Sequence, residues 1–540
     1  MPVTLRDNNV KKLAEQPFDV LIVGGGINGA VSAASLAGRG VRVALIDRGD
    51  FGGGVSSNSS NLAWGGIKYL ESLEFFLVNK LCKSRNRLMR AYPSTVKEIR
   101  FLTTIQRGFR FPPFFIYLGS VLYWLMGRLA TRAPHYLSAR RIKAAEPMID
   151  ASNATGGLEY SDCYLYDNDA RFVFNFIRKS LNFGCIAANY VESLSSRREE
   201  EQWVTSVREI TTGERFEIRS KLVINACGPW VDAQNRIEAQ QTQYRHLFSK
   251  GVHLIVDQVT DSPRVLTFFA SDGRMFFLIP MGPKTCIGTT DTQVYSPSVD
   301  VTDEDRDFLL ENANALLSLD QPLTRASIIA ERVSVRPLAI KEQSLESGEA
   351  DWVQLSRKHV IEVDEARRHL SIFGGKLTDC LNVGDEVAAW VKRLGVTVPQ
   401  AGNRWYGESG VELRNEFMLQ ATLMDLDKLT DPSSSEPLSE RFWRRYGESA
   451  FVLLERIRED ESSASLLIEN AEYTRCEIEL AARREMIVTL EDFMRRRSKI
   501  EQVVRREKIA DAPGLREACD ILFGERSEDR LSEYLNSGSK

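Results

Sequence analysis

Short apolar runs that end at glycine recur along the chain. Phe18 to Val23 is almost wholly apolar and stops at Gly24-Gly25-Gly26, which predicts a buried parallel strand. An alanine-rich stretch to about Arg39 suits a helix packed closely on a sheet. Val41 to Ile46 then repeats the strand pattern and ends at Asp47. Two later runs finish in the same way. The strand near 220–225 leads into Ala226-Cys227-Gly228, and the strand near 370–373 leads into Gly374-Gly375, with a helix expected from about Thr378. From about 439 to 535 the chain is charge-dense and its apolar residues take helical spacing: Phe451, Leu454, Ile457; Leu467, Ala471; Ile478, Ala482, Leu490, Phe493. An all-α domain is expected there. Residues 396–404 and 428–438, with their Pro, Gly and Ser, read as connectors.

One segment breaks the rhythm. From Phe111 to Gly127 there are 17 residues without a charge, flanked by Arg107, Arg110, Arg128 and Arg132. As a helix it would span about 25 Å, short for a bilayer, and Pro112-Pro113 shorten it further. Basic flanks and aromatic rings predict an anchor lying in a membrane interface. The alternative is a helix buried in a large core.

Composition narrows the function classes. The chain has 540 residues, 43% of them hydrophobic, enough for more than one domain. Its net charge of -4 gives no basic footprint for nucleic acid. The eight cysteines are scattered without a C-x-x-C pair, which fits reduced thiols in a cytosolic compartment. No signal or transit peptide is read at the N-terminus. Five histidines without a ligand motif predict no metal. The run RRRSK at 495–499 reads as a solvated helix end.

The first strand supplies the chemistry. Gly24, Gly26 and Gly29 form G-x-G-x-x-G between a strand and a helix, and Asp47 closes the next strand. Glycines let backbone amides approach a pyrophosphate, the helix N-terminus favours its charge, and an acid at Asp47 can hold a ribose. Three strand-to-turn pieces across the chain indicate one extended cofactor in a discontinuous domain, which suits FAD better than a diffusible nicotinamide.

The chain resembles the FAD-dependent, quinone-linked glycerol-3-phosphate dehydrogenases. The resemblance rests on IVGGGINGA, GGIKYLE, EYSDCYLYDNDAR, NACGPWVD, IPMGPKTCIGTTD, SVRPL, FGGKLT and, near the end, RRYG with AARREMIVTLEDFMRRR. It implies an α/β fold: an FAD-binding Rossmann-like domain of the glutathione-reductase/D-amino-acid-oxidase type, interleaved with a mixed-sheet substrate domain, plus an all-α C-terminal domain. The expected FAD pieces are about 15–75, 160–240 and 355–400, the substrate pieces about 76–159 and 241–354, and the helical domain about 405–535. It implies oxidation of sn-glycerol 3-phosphate to dihydroxyacetone phosphate, with electrons passing to FAD and then to quinone or, in some members, to oxygen. It also implies peripheral attachment to the inner face of the cell membrane, and leaves a homodimer open.

Residue by residue, the resemblance places the substrate at Lys68, Tyr69, His253, Arg336, Arg357 and Lys376. It places FAD against Gly24, Gly26, Gly29, Asp47, Ser56, Ser57, Ser60, Asn61, Gly65, Gly66, Gly228, Gly375, Lys376 and Thr378. The proton acceptor is His253 or Lys376: the first has a suitable ordinary pKa, and the second would need it lowered. The family's usual run is S-S-x-S-[ST]-K-L-I-H-G-G-x-R-Y-L. This chain has Asn61 for its Lys, Trp64 for its His and Lys68 for its Arg. The departures keep open a changed hydroxy or amine substrate, or an FAD-binding protein without turnover.

Overall fold

A computed structural model describes residues 4–270, 272–343 and 358–537. The apolar runs become the parallel core of one sheet. Strand Phe18–Val23 lies between Arg215–Asn225 and Val43–Ile46, parallel to both. His369–Phe373 adds in parallel beyond the first, and Ile186–Ala188 beyond the second. Helix Ile27–Ala37 covers this sheet with nearly every residue buried, as its small side chains allow. An antiparallel meander, Val191–Glu199 and Gln202–Glu209, leads back into Arg215–Asn225.

The second sheet is mixed and ten-stranded. Near one edge the long strand Tyr244–Asp257 pairs along its length with Ile328–Lys341. Val96–Gln106 and Ala154–Leu165 run antiparallel, and Leu62–Ala63 attaches the segment after the glycine turns to that edge. Each sheet draws its strands from separate parts of the chain, as an interleaved α/β fold requires.

The C-terminal region is helical, with two departures from the expected pattern. The stretch holding Leu467 and Ala471 is no helix: Asn470 and Glu472 sit in the left-handed region (φ 59° and 54°), and Leu466 bridges to Thr474 instead. The run 495–499 is not solvated either. Arg497 is fully buried, and Arg496 and Lys499 nearly so, inside a network of carboxylates. Charge density suggested a surface; ion pairing with distant carboxylates buries it.

The uncharged segment forms helix Pro113–Met126. Its inner side is fixed by Tyr123, whose hydroxyl donates to buried Asp162 at 2.7 Å beside Arg85. Its outer side bares Phe114, Phe115, Leu118, Leu122 and Leu125, so a buried core helix is excluded. Among the described residues no helix is long and apolar enough to cross a membrane.

Candidate active site

A cavity of about 480 Å³ runs along the C-terminal ends of the parallel strands. Its floor is the first glycine turn. A Cβ on Gly29 would fall 1.8 Å from the Gly24 carbonyl oxygen, so only glycine lets the helix begin this close to the strand. Gly26, at the helix N-terminus, lines the cavity, and the Ile27 amide donates to Ser56 Oγ at 3.0 Å. That end presents backbone N–H groups to an anion.

Asp47 accepts from the Gly25 and Gly49 amides at 2.6 and 2.8 Å and also lines the cavity. Burial pushes its carboxyl up to about 6, against the pull of those two amides. Arg48 lies over the Trp230 ring, 4.7 Å from its centroid, and both face the same space. Gly228 and Gly375 complete the wall, both at positive φ (55° and 109°).

The glycines at the contact points, the amide-rich floor and the ribose-type acid fit an extended dinucleotide such as FAD. Gly24, Gly26, Asp47 and Ser56 would hold its adenosine and phosphates, with Gly228 and Gly375 further along. Gly29, Ser57, Ser60, Asn61, Gly65, Gly66, Lys376 and Thr378 are not among the residues that line the cavity. Ser57 turns back onto the Gly54 carbonyl, and Asn61 accepts from Arg332 at 3.2 Å. Gly65 donates its amide to Asp162, and Thr378 donates to the Trp64 carbonyl.

Strand Ile328–Lys341 and the Gly374-Gly375 turn meet at the cavity. Gly374, Gly375 and Pro337 share the cavity wall, and Asn28 Nδ2 ties the Gly374 carbonyl to the glycine-turn helix at 3.0 Å. Lys376 follows directly, its Nζ 2.6 Å from the Tyr69 hydroxyl. Arg336 precedes Pro337. Its guanidinium donates to the Thr290 carbonyl at 3.1 Å, to Thr289 Oγ1 at 2.7 Å and to Asp291 at 3.1 Å.

His253 stands on the strand beside Arg336, opposite Gly288. Burial, helped by Arg336 and Arg332, drives its pKa down to about 3, so the ring is neutral at pH 7. Its Nδ1 is buried and has no partner among the described residues. Lys68 is exposed on the turn Ile67–Leu70. Arg357 lies outside the described residues.

Sequence reasoning missed the acceptors around Arg336 and the contribution of Glu491 and Arg496 to the cavity. TTD at 289–291 was in view within a matched motif, but its partner arrives from another strand. No local signal marks Arg496.

Comparison with known proteins agrees with this geometry. The FAD dependent oxidoreductase family matches residues 19–359, and the C-terminal domain of alpha-glycerophosphate oxidase matches 397–519. D-erythritol 1-phosphate dehydrogenase of Brucella abortus is 29% identical, over 89% of this chain and 94% of that protein. Aerobic glycerol-3-phosphate dehydrogenase of Bacillus subtilis is 31% identical, over 72% of this chain and 69% of that one. In fold, the chain resembles a Bacillus halodurans glycerol-3-phosphate dehydrogenase solved with FAD. The TM-score is 0.73 at 24% identity, covering 99% of this chain and 97% of that one.

Proposed function

The chain belongs to the FAD-dependent oxidoreductases, in the branch that carries the glycerophosphate-oxidase C-terminal domain, and from that premise we propose that it oxidises the secondary hydroxyl of glycerol 3-phosphate to give dihydroxyacetone phosphate. The observation that carries the reading is where a strand and a turn meet the dinucleotide cavity. Pro337, within strand Ile328–Lys341, and Gly375 line it, and each has a cation, Arg336 and Lys376, as its neighbour in the chain.

FAD, when bound, supplies the two-electron acceptor. The chain's own residues do the rest. Arg336 is fixed in direction by Ser249, Thr289, Thr290 and Asp291, and is proposed as the cation that anchors the phosphate dianion. Lys68 and Arg357 are proposed as further cations of the phosphate clamp. His253, neutral at pH 7, is in the form that accepts the hydroxyl proton at a ring nitrogen. A dianion beside Arg336 would offset the cations that depress it and raise its basicity. Lys376, held by Tyr69, would stabilise charge developing on the substrate oxygen.

Electrons are proposed to leave to a quinone at a membrane surface. The bared row Phe114, Phe115, Leu118, Leu122 and Leu125, with Leu73 and Phe76 nearby, supports attachment there. Arg110 joins the two stretches by pairing with Glu71.

A second reading has a specific basis. The Brucella relative is named for a longer polyol phosphate. In this chain Trp64 stands where the family has His, its indole donating to Tyr160 at 3.3 Å, and Lys68 stands where it has Arg. Both changes fall at the proposed substrate end. Product analysis with an artificial electron acceptor tests the proposal. Glycerol 3-phosphate should yield dihydroxyacetone phosphate and unphosphorylated glycerol nothing. Turnover of erythritol 1-phosphate alone would shift the reading to the longer substrate.

A further inference from the structure

The segment that closes the dinucleotide cavity is gripped from the far end of the chain. Asp50 is buried and accepts from Arg496 Nε at 2.8 Å, from Arg497 Nη1 and Nη2 at 2.8 and 2.7 Å, and from Asn189 Nδ2 at 2.9 Å. Both arginines belong to the π-helical turn Asp492–Arg497 of the C-terminal domain. Arg496 also donates to Asp492 at 2.6 Å, which in turn accepts from the Tyr190 hydroxyl at 2.7 Å. Burial would raise the Asp50 carboxyl, but the two guanidiniums overcome it and hold the group below its ordinary range.

Two facts connect this cluster to the cofactor site. Asp50 lies at the head of residues 50–56, of which Gly53, Gly54, Val55 and Ser56 line the cavity. Glu491 and Arg496 line it directly. Part of the cavity wall is therefore built by the C-terminal domain.

We propose that the C-terminal helical domain latches the dinucleotide in place: Arg496 and Arg497 grip Asp50 and hold residues 50–56 closed against the cofactor. Arg497 is a positioning residue that acts on the cofactor through Asp50 and its segment, whereas Arg496 grips Asp50 and also faces the cavity itself. The proposal rests on the FAD site alone and is independent of the substrate. A ligand that needs the closed segment must favour docking of the turn that closes it, and docking must strengthen the ligand by the same factor. A static structural joint would show no such reciprocity.

Hydrogen exchange on the full-length protein, FAD-loaded and FAD-stripped, reads this coupling. FAD should slow amide exchange in 488–498 at least tenfold and leave helix Val411–Leu423 unchanged. Equal exchange of 488–498 in the two forms would overturn the proposal. Arg496→Gln, which removes the charge and keeps donor groups, should raise the FAD dissociation constant at least tenfold, read by flavin fluorescence. An unchanged constant in a folded Arg496→Gln protein would also overturn it. If that variant does not fold, the exchange comparison on the native chain decides.

Discussion

Lys376 Nζ lies 2.6 Å from the hydroxyl of Tyr69 and 4.1 Å from the centre of its ring, although 307 residues separate them. The contact joins the flavin-side Gly-Gly turn to the segment that follows the glycine-rich floor. A cation held over an aromatic face and by its hydroxyl is fixed in direction. Tyr69→Phe keeps the ring and removes the hydrogen bond. Loss of one charge-assisted bond is worth about 1.5–3 kcal/mol. We expect kcat/KM to fall about tenfold to a hundredfold, with FAD content unchanged by absorbance. An unaltered kcat/KM would remove Lys376 from the proposed site.

Lys68 tests which substrate the site is built for. A lysine offers one compact charge where arginine offers a planar fork. Lys68→Arg should bind glycerol 3-phosphate at least as tightly as the native chain, read from flavin reduction against concentration. Unchanged binding of both glycerol 3-phosphate and erythritol 1-phosphate in a Lys68→Ala variant would exclude Lys68 from the phosphate clamp.

His359 provides a pH signature of the fold near the same turn. Burial would lower its pKa, but Asp379 and Glu386 outweigh that and raise it to about 9. Asp379 lies 3.0 Å from Nδ1 and Glu386 2.8 Å from Nε2. Because the folded pKa exceeds the unfolded one, the stabilisation is full below about pH 6.5 and is lost as pH rises through about 9. Its ceiling is about 3 kcal/mol, reduced by solvent at Glu386. The melting temperature of His359→Gln should trail the native value most near pH 6.5 and converge on it by about pH 10. A gap that stays constant across that range would contradict the charged pair.

Membrane attachment has a direct test in the bared helix. Phe115, Leu118 and Leu122 are 60%, 48% and 41% exposed, so replacing all three by Ser leaves the core intact. Each side chain buried in lipid is worth roughly 1.5–3 kcal/mol. The triple variant should move from the membrane pellet to the supernatant with unchanged melting temperature. Retention in the pellet would place the attachment elsewhere.

Much of the dinucleotide site was legible because it is local. Gly24, Gly26, Gly29 and Asp47 lie within one strand-helix-strand unit, and their spacing alone dictates where a pyrophosphate fits. The strands ending at Gly228 and Gly375 were readable for the same reason. What was hidden depends on partners far apart in the chain. Arg496 and Arg497 meet Asp50 some 446 residues away, and a run of arginines carries no sign of the acid that buries it. The place of Asn61 in the motif gave no sign of its left-handed backbone (φ 57°) or of Arg332, which donates to its side chain from another strand. The stretch at Leu467 had helical spacing, yet two left-handed residues end it, because spacing records which side chains are apolar and not the path between them.

The central claim is that this chain passes electrons from a phosphorylated polyol to its FAD through a site anchored by Arg336. Rapid anaerobic mixing of FAD-loaded protein with glycerol 3-phosphate measures it directly. The visible absorbance of the oxidised flavin should bleach at a rate that saturates with substrate, and Arg336→Ala should nearly abolish that bleaching while keeping FAD bound. Flavin that stays oxidised with glycerol 3-phosphate and with erythritol 1-phosphate, or Arg336→Ala protein that bleaches like the native chain, would contradict the account.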